Sequence, residues 1–286
     1  MTATPRTRVL LGVMTALIVA FLLAPIALIV LYAFNPSNVQ SWPLEGLSTR
    51  WFSQTWHNEA MRQALWLSVR AALLSTAIAM LLGSAAAFAV HRFRFFGREA
   101  VSFVLLLPIA LPGIITGMAL NSFFAFGGVR FSLVTIVVGH ATFCIVTVYN
   151  NLLARLRRTQ PSLVEASMDL GADGWQTFRH VTLPVVATAL VAGGLLAFAL
   201  SFDEVIVTTF TAGAQNTLPL WIFGNIRQGQ NLPQVNVVVL LVIVLTFVPV
   251  MLAQRLTRDT GVLRATGGTA DGVAPAAAGA VGAGGH

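Results

Sequence analysis

The sequence contains no lysine, a single cysteine and few charges of either sign. Each scarcity removes a class of function. Without lysine there is no P-loop lysine to hold a nucleotide phosphate and no amine for a Schiff base, so ATP hydrolysis and imine chemistry are excluded from this chain. With Cys144 alone, neither an internal disulfide nor a cysteine metal cluster can form. Cys144 reads as a small apolar packing group. Charged residues make up 9% of the chain against 56% hydrophobic ones, where a soluble domain carries about 25% charged residues. That is too few to face water. The sequence also lacks a His-Glu-x-x-His pair and a Gly-x-Ser-x-Gly elbow. An intramembrane hydrolase built on His140 and Asp203 would therefore have no nucleophile context.

What is present is apolar and comes in blocks. A bilayer core of roughly 30 Å needs about 20 helical residues. No formal charge interrupts Arg8 to Glu45, Arg70 to Arg92, Glu99 to Arg130, Arg130 to Arg155, Arg179 to Asp203 or Arg227 to Arg255. These runs predict an all-α, polytopic membrane protein with six spans, near 9–34, 66–90, 101–126, 132–154, 182–206 and 234–254. The first run is too long for the apolar core of a signal peptide and is read as a retained helix. Pro108, Pro112 and Gly113 predict a bend in the third span, as a packing kink or as a hinge. Trp42, Trp51 and Trp56 in the loop 35–62 suit an interface with lipid headgroups better than substrate stacking. Residues 211–233 read as an outer loop with one short helix. Residues 1–264 form the expected transmembrane domain, and 265–286 a Gly/Ala-rich disordered cytoplasmic tail.

The net charge of +7 follows from topology and does not call for nucleic acid. With the N-terminus inside, twelve arginines fall on the cytoplasmic side (6, 8, 92, 94, 98, 155, 157, 158, 179, 255, 258 and 264) and five outside (50, 62, 70, 130 and 227). That bias fits the positive-inside rule, and an even span count returns the C-terminus to the cytoplasm.

The longest inner loop, 155–181, has its own local structure. Ser162 with Glu165, and Asp173 with Gln176, have capping-box spacing for two short helices. Gly171 stands where the first should end. A two-turn helix is marginal alone. Ala166, Ser167 and Leu170 share a side, which either admits a partner protein closely or packs on the chain's own helix ends.

The spacing Glu165-Ala166-Ser167-x3-Gly171-x9-Val181-x-Leu183-Pro184 resembles the "EAA" loop of ABC-importer permeases, Glu-Ala-Ala-x3-Gly-x9-Ile-x-Leu-Pro. Ser167 replaces alanine and Val181 replaces isoleucine. The resemblance implies a type I importer permease fold, in which this loop forms a coupling helix. Glu165 would orient that helix, Ala166 and Ser167 would fit a groove of a cytoplasmic ATPase, Gly171 would allow the bend, and Leu183-Pro184 would lead into the fifth span. The runs from Leu106 to Gly113, Val138 to Cys144 and Phe198 to Glu204 look like the spermidine/putrescine branch, over roughly residues 9–258, and like the second of its two paired permeases. The resemblance implies an inner-membrane complex with a homologous permease, two ATPases that carry ATP and magnesium, and an extracytoplasmic binding protein. No cofactor, metal or catalytic residue is expected in this chain.

Asp203 and Glu204 are the acids nearest a membrane interior. Ionisable groups there face a cavity or a partner. They are candidates for a cationic substrate's route, or else an interfacial pair with Arg227 or the partner permease. His140 is either a neutral hydrogen-bonding packer between helices or a pathway or gating residue. The competing reading for the whole chain is a stand-alone secondary transporter, working as a homodimer.

Overall fold

The computed structural model describes residues 5–246. The sixth expected span, 234–254, runs beyond these residues, and the tail 265–286 lies outside them. Among the described residues every regular element is helical. Four helices are long and apolar enough to cross a membrane, and a bent pair supplies a fifth if counted as one span. They are α1 (Pro5–Ala33), α3 (Glu59–Arg92), the pair α4 (Arg98–Ala110) and α5 (Gly113–Phe126), α6 (Leu133–Arg158), and the stretch ending in α9 (Leu183–Phe202). Shorter helices are α2 (Arg50–His57), α7 (Ser162–Asp169), α8 (Gly174–Thr177), α10 (Ile206–Thr211), α11 (Leu218–Gln228) and α12 (Leu232–Thr246).

Residues 34–235 form one packed unit; α1 and residues 236–246 belong to a second. Side chains all around α1 are exposed, Leu17 and Phe21 among them. A helix apolar on every side is built for lipid.

Local sequence explains the long helices. At the start of α3, Asn58 Oδ1 accepts from the Met61 amide, and His91 and Arg92 close the last turn. At the start of α6, the Val134 amide donates to Ser132 Oγ while the Ser132 amide donates to Thr135 Oγ1, a reciprocal cap. Arg155, Arg157 and Arg158 sit at the opposite end, where the helix dipole favours cations.

The packed unit is organised on α6. Ala71, Ser75, Ala79, Gly83 and Ala87 repeat every four residues along α3 and are all buried. Such a stripe lets two membrane helices approach closely. Ser75 Oγ donates to Val137 O at 3.2 Å, and Gly83 lies against Ile145 O. These paired positions advance together, so α3 and α6 run parallel. Between α6 and α9, Cys144 Sγ donates to Ala197 O at 3.3 Å and Arg155 Nε to Val185 O at 2.9 Å. Here one number rises as the other falls, so the pair is antiparallel. Three buried layers result: Leu67, Ala71, Ile136, Val137 and Ala212 at one end; Ala79, Cys144, Val148 and Ala197 in the middle; Ala87, Tyr149, Leu152, Leu156 and Val186 at the other.

Two spans differ from expectation. The third is broken rather than kinked, with α4 and α5 meeting at 104°. Pro112 disfavours helical backbone at the residue before it, and Leu111 is extended at φ −82°, ψ 143°. The fifth stops at Phe202, not near 206, and resumes as α10 after Asp203–Val205. The Glu204 carboxylate accepts from the Val207 amide at 2.9 Å, so the side chain expected inside the helix instead caps the next one.

Candidate functional site

The segment joining α6 to α9 is the first candidate. Pro161, not a serine, stands at the N-cap of α7, and no side chain caps it. The expected Ser162–Glu165 box is therefore absent. Pro161 presets the first turn, and its missing N–H costs nothing there. Glu165 lies in that first turn, where a carboxylate suits the dipole. It lines a cavity of about 300 Å³ together with Phe88, Arg92 and Val181.

The end of α7 is a Schellman closure. Gly171 has φ +86°, its amide donates to Met168 O at 2.9 Å, and the Ala172 amide donates to Ser167 O at 3.1 Å. Nothing stands within 4 Å of a Cβ placed on Gly171, so glycine is needed for backbone handedness alone. Gly171→Asn is expected to keep transport near the parent level, since asparagine tolerates this conformation. Gly171→Val is expected to slow transport about tenfold, because a branched residue at positive φ costs roughly 1–2 kcal/mol or more. Initial uptake rates of the two variants at matched protein levels check this.

The expected Asp173–Gln176 box is formed. The Gln176 amide donates to Asp173 Oδ1 at 2.7 Å, and the Asp173 amide donates to Gln176 Oε1 at 3.0 Å. From Phe178 to Thr182 the backbone is π-helical, and the Leu183 amide reaches Phe178 O, five residues back. Pro184 explains this. It has no N–H for His180 O, so the ladder slips by one residue on entering α9. The Leu-Pro of the motif thus builds a bulge at the root of α9. Trp175 stacks on Phe178 at 5.7 Å, and Phe178 meets Phe88 of α3 edge-on at 5.5 Å.

Of the three residues expected on one side, Ala166 and Leu170 lie on the open surface, and Ser167 does not join them. The Ser167 hydroxyl is 3.1 Å from Thr177 Oγ1 and ties α7 to α8. Leu163, Met168, Leu170 and Trp175 are exposed apolar side chains as well, Leu170 being 89% and Trp175 66% accessible; Leu163 shares a side with Ala166 and Leu170, and Met168 does not. Leu163 and Trp175 were not among the expected residues, although Leu163 stands one helical repeat, i to i+7, from Leu170.

The second candidate is the break at Asp203–Val205. Asp203 caps α9 and is exposed; Glu204 is half-buried by its bond to Val207. Among the described residues neither carboxylate pairs with Arg227. His140 is 1% accessible. Its ring lies between Ser201 Oγ and Thr208 Oγ1, each at 2.8 Å. The packing role read for His140 is what the geometry displays, with Ser201 and Thr208 as partners the sequence did not single out. Asn121 of α5 donates to Phe210 O at 2.7 Å, and Gly117 sits against the Phe210 ring, so α5 braces α10 from the other side.

Comparison with known proteins agrees with this architecture. A family described as binding-protein-dependent transport system inner membrane component matches residues 79–261, which include both candidate regions. The chain is 37% identical over 232 residues to the putrescine transport system permease protein PotI of Escherichia coli (strain K12), covering 78% of this chain and 82% of that one. It is 34% identical over 250 residues to the spermidine/putrescine transport system permease protein PotC of the same strain, covering 87% and 93% respectively. In the solved structure of a bacterial ABC transporter involved in the import of the acidic polysaccharide alginate, one chain superimposes with a TM-score of 0.65 at 15% identity, over 91% of this chain and 99% of that chain. The match establishes a shared fold. This chain belongs to the family of binding-protein-dependent transport system inner membrane components, the multi-pass permease subunits of ABC importers.

Proposed function

We propose that this permease forms half of a polyamine pathway and is driven through residues 162–184 by a separate ATPase. The observation that supports the reading is the set of exposed apolar side chains, Leu163, Ala166, Met168 and Leu170 of α7 and Trp175 of α8, on a segment closed by the Schellman turn at Gly171 and the Asp173–Gln176 box. Four large apolar side chains in water need a partner. Glu165 lies in the first turn of α7 and orients it through the helix dipole, Gly171 turns the chain, and Leu183-Pro184 root it in α9. The ATPase supplies the nucleotide and magnesium site; this chain contributes no catalytic group. The working assembly is a heteropair with a homologous permease, two ATPases and an extracytoplasmic binding protein. The arginine bias supports an orientation with both termini in the cytoplasm.

Polyamine as cargo is supported by the names of PotI and PotC and by two carboxylates at the break in α9–α10. Asp203 is open to a passing cation. Asp203→Asn with Glu204→Gln is expected to raise the KM for putrescine about tenfold, the equivalent of roughly 1.4 kcal/mol of lost attraction. Radiolabelled putrescine and spermidine uptake into proteoliposomes bearing the whole complex tests this, and unchanged KM for both removes these residues from the pathway. A stand-alone transporter is tested by reconstituting the chain by itself. Uptake on an ion gradient without ATPase defeats the importer reading; uptake only with ATP and the ATPase upholds it.

A further inference from the structure

The His140 contacts hold more than one helix. Thr208 Oγ1 donates to Glu204 O at 2.6 Å, so its proton is committed. His140 Nε2 must then donate to Thr208 Oγ1, and the unprotonated Nδ1 accepts from Ser201 Oγ. The neutral ring is satisfied on both sides, and it spans the break: Ser201 is the second-last residue of α9, while Thr208 belongs to α10.

His140 also lies at one end of a hairpin. Helices α6 and α9 are joined at the other end by the 159–182 segment. Between the two ends they are fastened by Arg155 to Val185 O, by the approach of Gly193 to Val148, and by Cys144 to Ala197 O. A Cβ placed on Gly193 would meet the Val148 Cα at 3.4 Å, an ordinary contact, so the two helices pass close to each other there. The segment and the break are therefore opposite ends of one braced unit. Past Ser201 two side-chain hydrogen bonds tie α10 to α6, His140 to Thr208 Oγ1 and Thr135 Oγ1, which donates to Thr211 O at 2.8 Å, while Val207 and Thr211 pack against Gly139 without a directional bond.

We propose that His140 is a positioning residue that fastens the Asp203–Val205 break to the α6–α9 hairpin, so that displacement of the 162–184 segment is carried to the break. This rests on the importer reading above. It assigns His140 no contact with the cation.

The test uses the complete complex in nanodiscs with single reporter cysteines at exposed positions, Ser162→Cys at the start of α7 or Ile206→Cys at the start of α10. Cys144 is fully buried and does not compete. Labelling rates with a charged maleimide are compared between the resting and the ATP-vanadate-trapped complex. In the parent, both positions change rate on trapping. In His140→Phe and in Thr208→Val, the change at Ser162→Cys is expected to persist, while the change at Ile206→Cys shrinks about fivefold, the effect of one lost hydrogen bond. His140→Gln, with both a donor and an acceptor, restores part of it. If His140→Phe does not assemble, Ser201→Ala and Thr208→Val, which each remove one hydroxyl, carry the test. A full response at Ile206→Cys in Thr208→Val or Ser201→Ala overturns the proposal. A parent complex in which neither position responds to ATP overturns the importer reading and this one with it, an outcome distinct from the first.

Discussion

Leu170→Glu and Leu170→Arg are each expected to abolish ATP-driven uptake while leaving the permease itself folded and inserted. Leu170 is 89% accessible and closes α7 just before Gly171. A substitution there removes almost no packing within the chain, and surface changes of this kind alter stability by about 0.5 kcal/mol or less. Any large loss must come from a surface that covers Leu170 in the assembly. Burying an unpaired charge in an apolar contact costs several kcal/mol, and central contact residues commonly carry 2 kcal/mol or more. Affinity for the ATPase should therefore drop at least about thirtyfold. The two variants carry opposite charges. If desolvation is the cause both fail, whereas a simple charge clash would spare one of them. Co-purification of the ATPase, at matched levels of membrane-inserted permease, measures the first effect, and uptake the second. Retention of the ATPase by both variants would show that the apolar face docks nothing.

The two candidate regions differ in how far the sequence exposes them. The coupling segment is local. Asp173 and Gln176 are three residues apart, Gly171 is a single left-handed position, and both do what their spacing foretells. Two readings of this segment failed: the adjacent Pro161 took the cap position expected of Ser162, and Ser167 turned from the open face toward the hydroxyl of Thr177, ten residues on. The break at 203–205 is the harder case. An apolar run that is interrupted only by Asp203 and Glu204 before Val205-Ile206-Val207 reads as one continuous helix. The contacts that hold it open come from His140, sixty-eight residues from Thr208, and from Asn121, eighty-nine residues from Phe210. Hydropathy cannot register such ties, since it weighs each window by composition. The α4–α5 elbow is intermediate. Pro108, Pro112 and Gly113 marked the place, but a proline fixes its own backbone and its neighbour's, not the angle between the helices that follow. The stripe from Ala71 to Ala87 was not among the sequence expectations: five small residues at four-residue spacing gain a purpose only beside the parallel partner α6.

That stripe carries the second large prediction. Gly83→Leu is expected to prevent the transmembrane unit from packing. A Cβ at Gly83 would stand 2.7 Å from Ile145 O, 3.1 Å from Val148 Cβ and 3.2 Å from the Tyr149 amide nitrogen. The first and last are backbone atoms of α6, which cannot rotate aside, so α3 and α6 would have to separate. Their contact holds the buried layers together, and separating them opens the contacts of Ala79, Cys144 and Val148 in the middle layer. Overpacking a core costs about 1–3 kcal/mol when side chains can adjust, and more when they cannot. The purified variant should therefore melt about 10 °C or more below the parent, or fail to accumulate. Two glycines nearby provide the contrast. At Gly194 an added Cβ meets the Met80 thioether at 3.1 Å, the far end of a flexible side chain, so Gly194→Ala should be nearly neutral. At Gly12 in α1 nothing stands within 4 Å, and Gly12→Leu should cost nothing because the added side chain faces lipid. Thermal denaturation of the three variants in one detergent separates the explanations. If glycine at position 83 merely keeps a membrane helix supple, Gly83→Leu and Gly12→Leu should behave alike. If it admits the α6 backbone, only Gly83→Leu should fail.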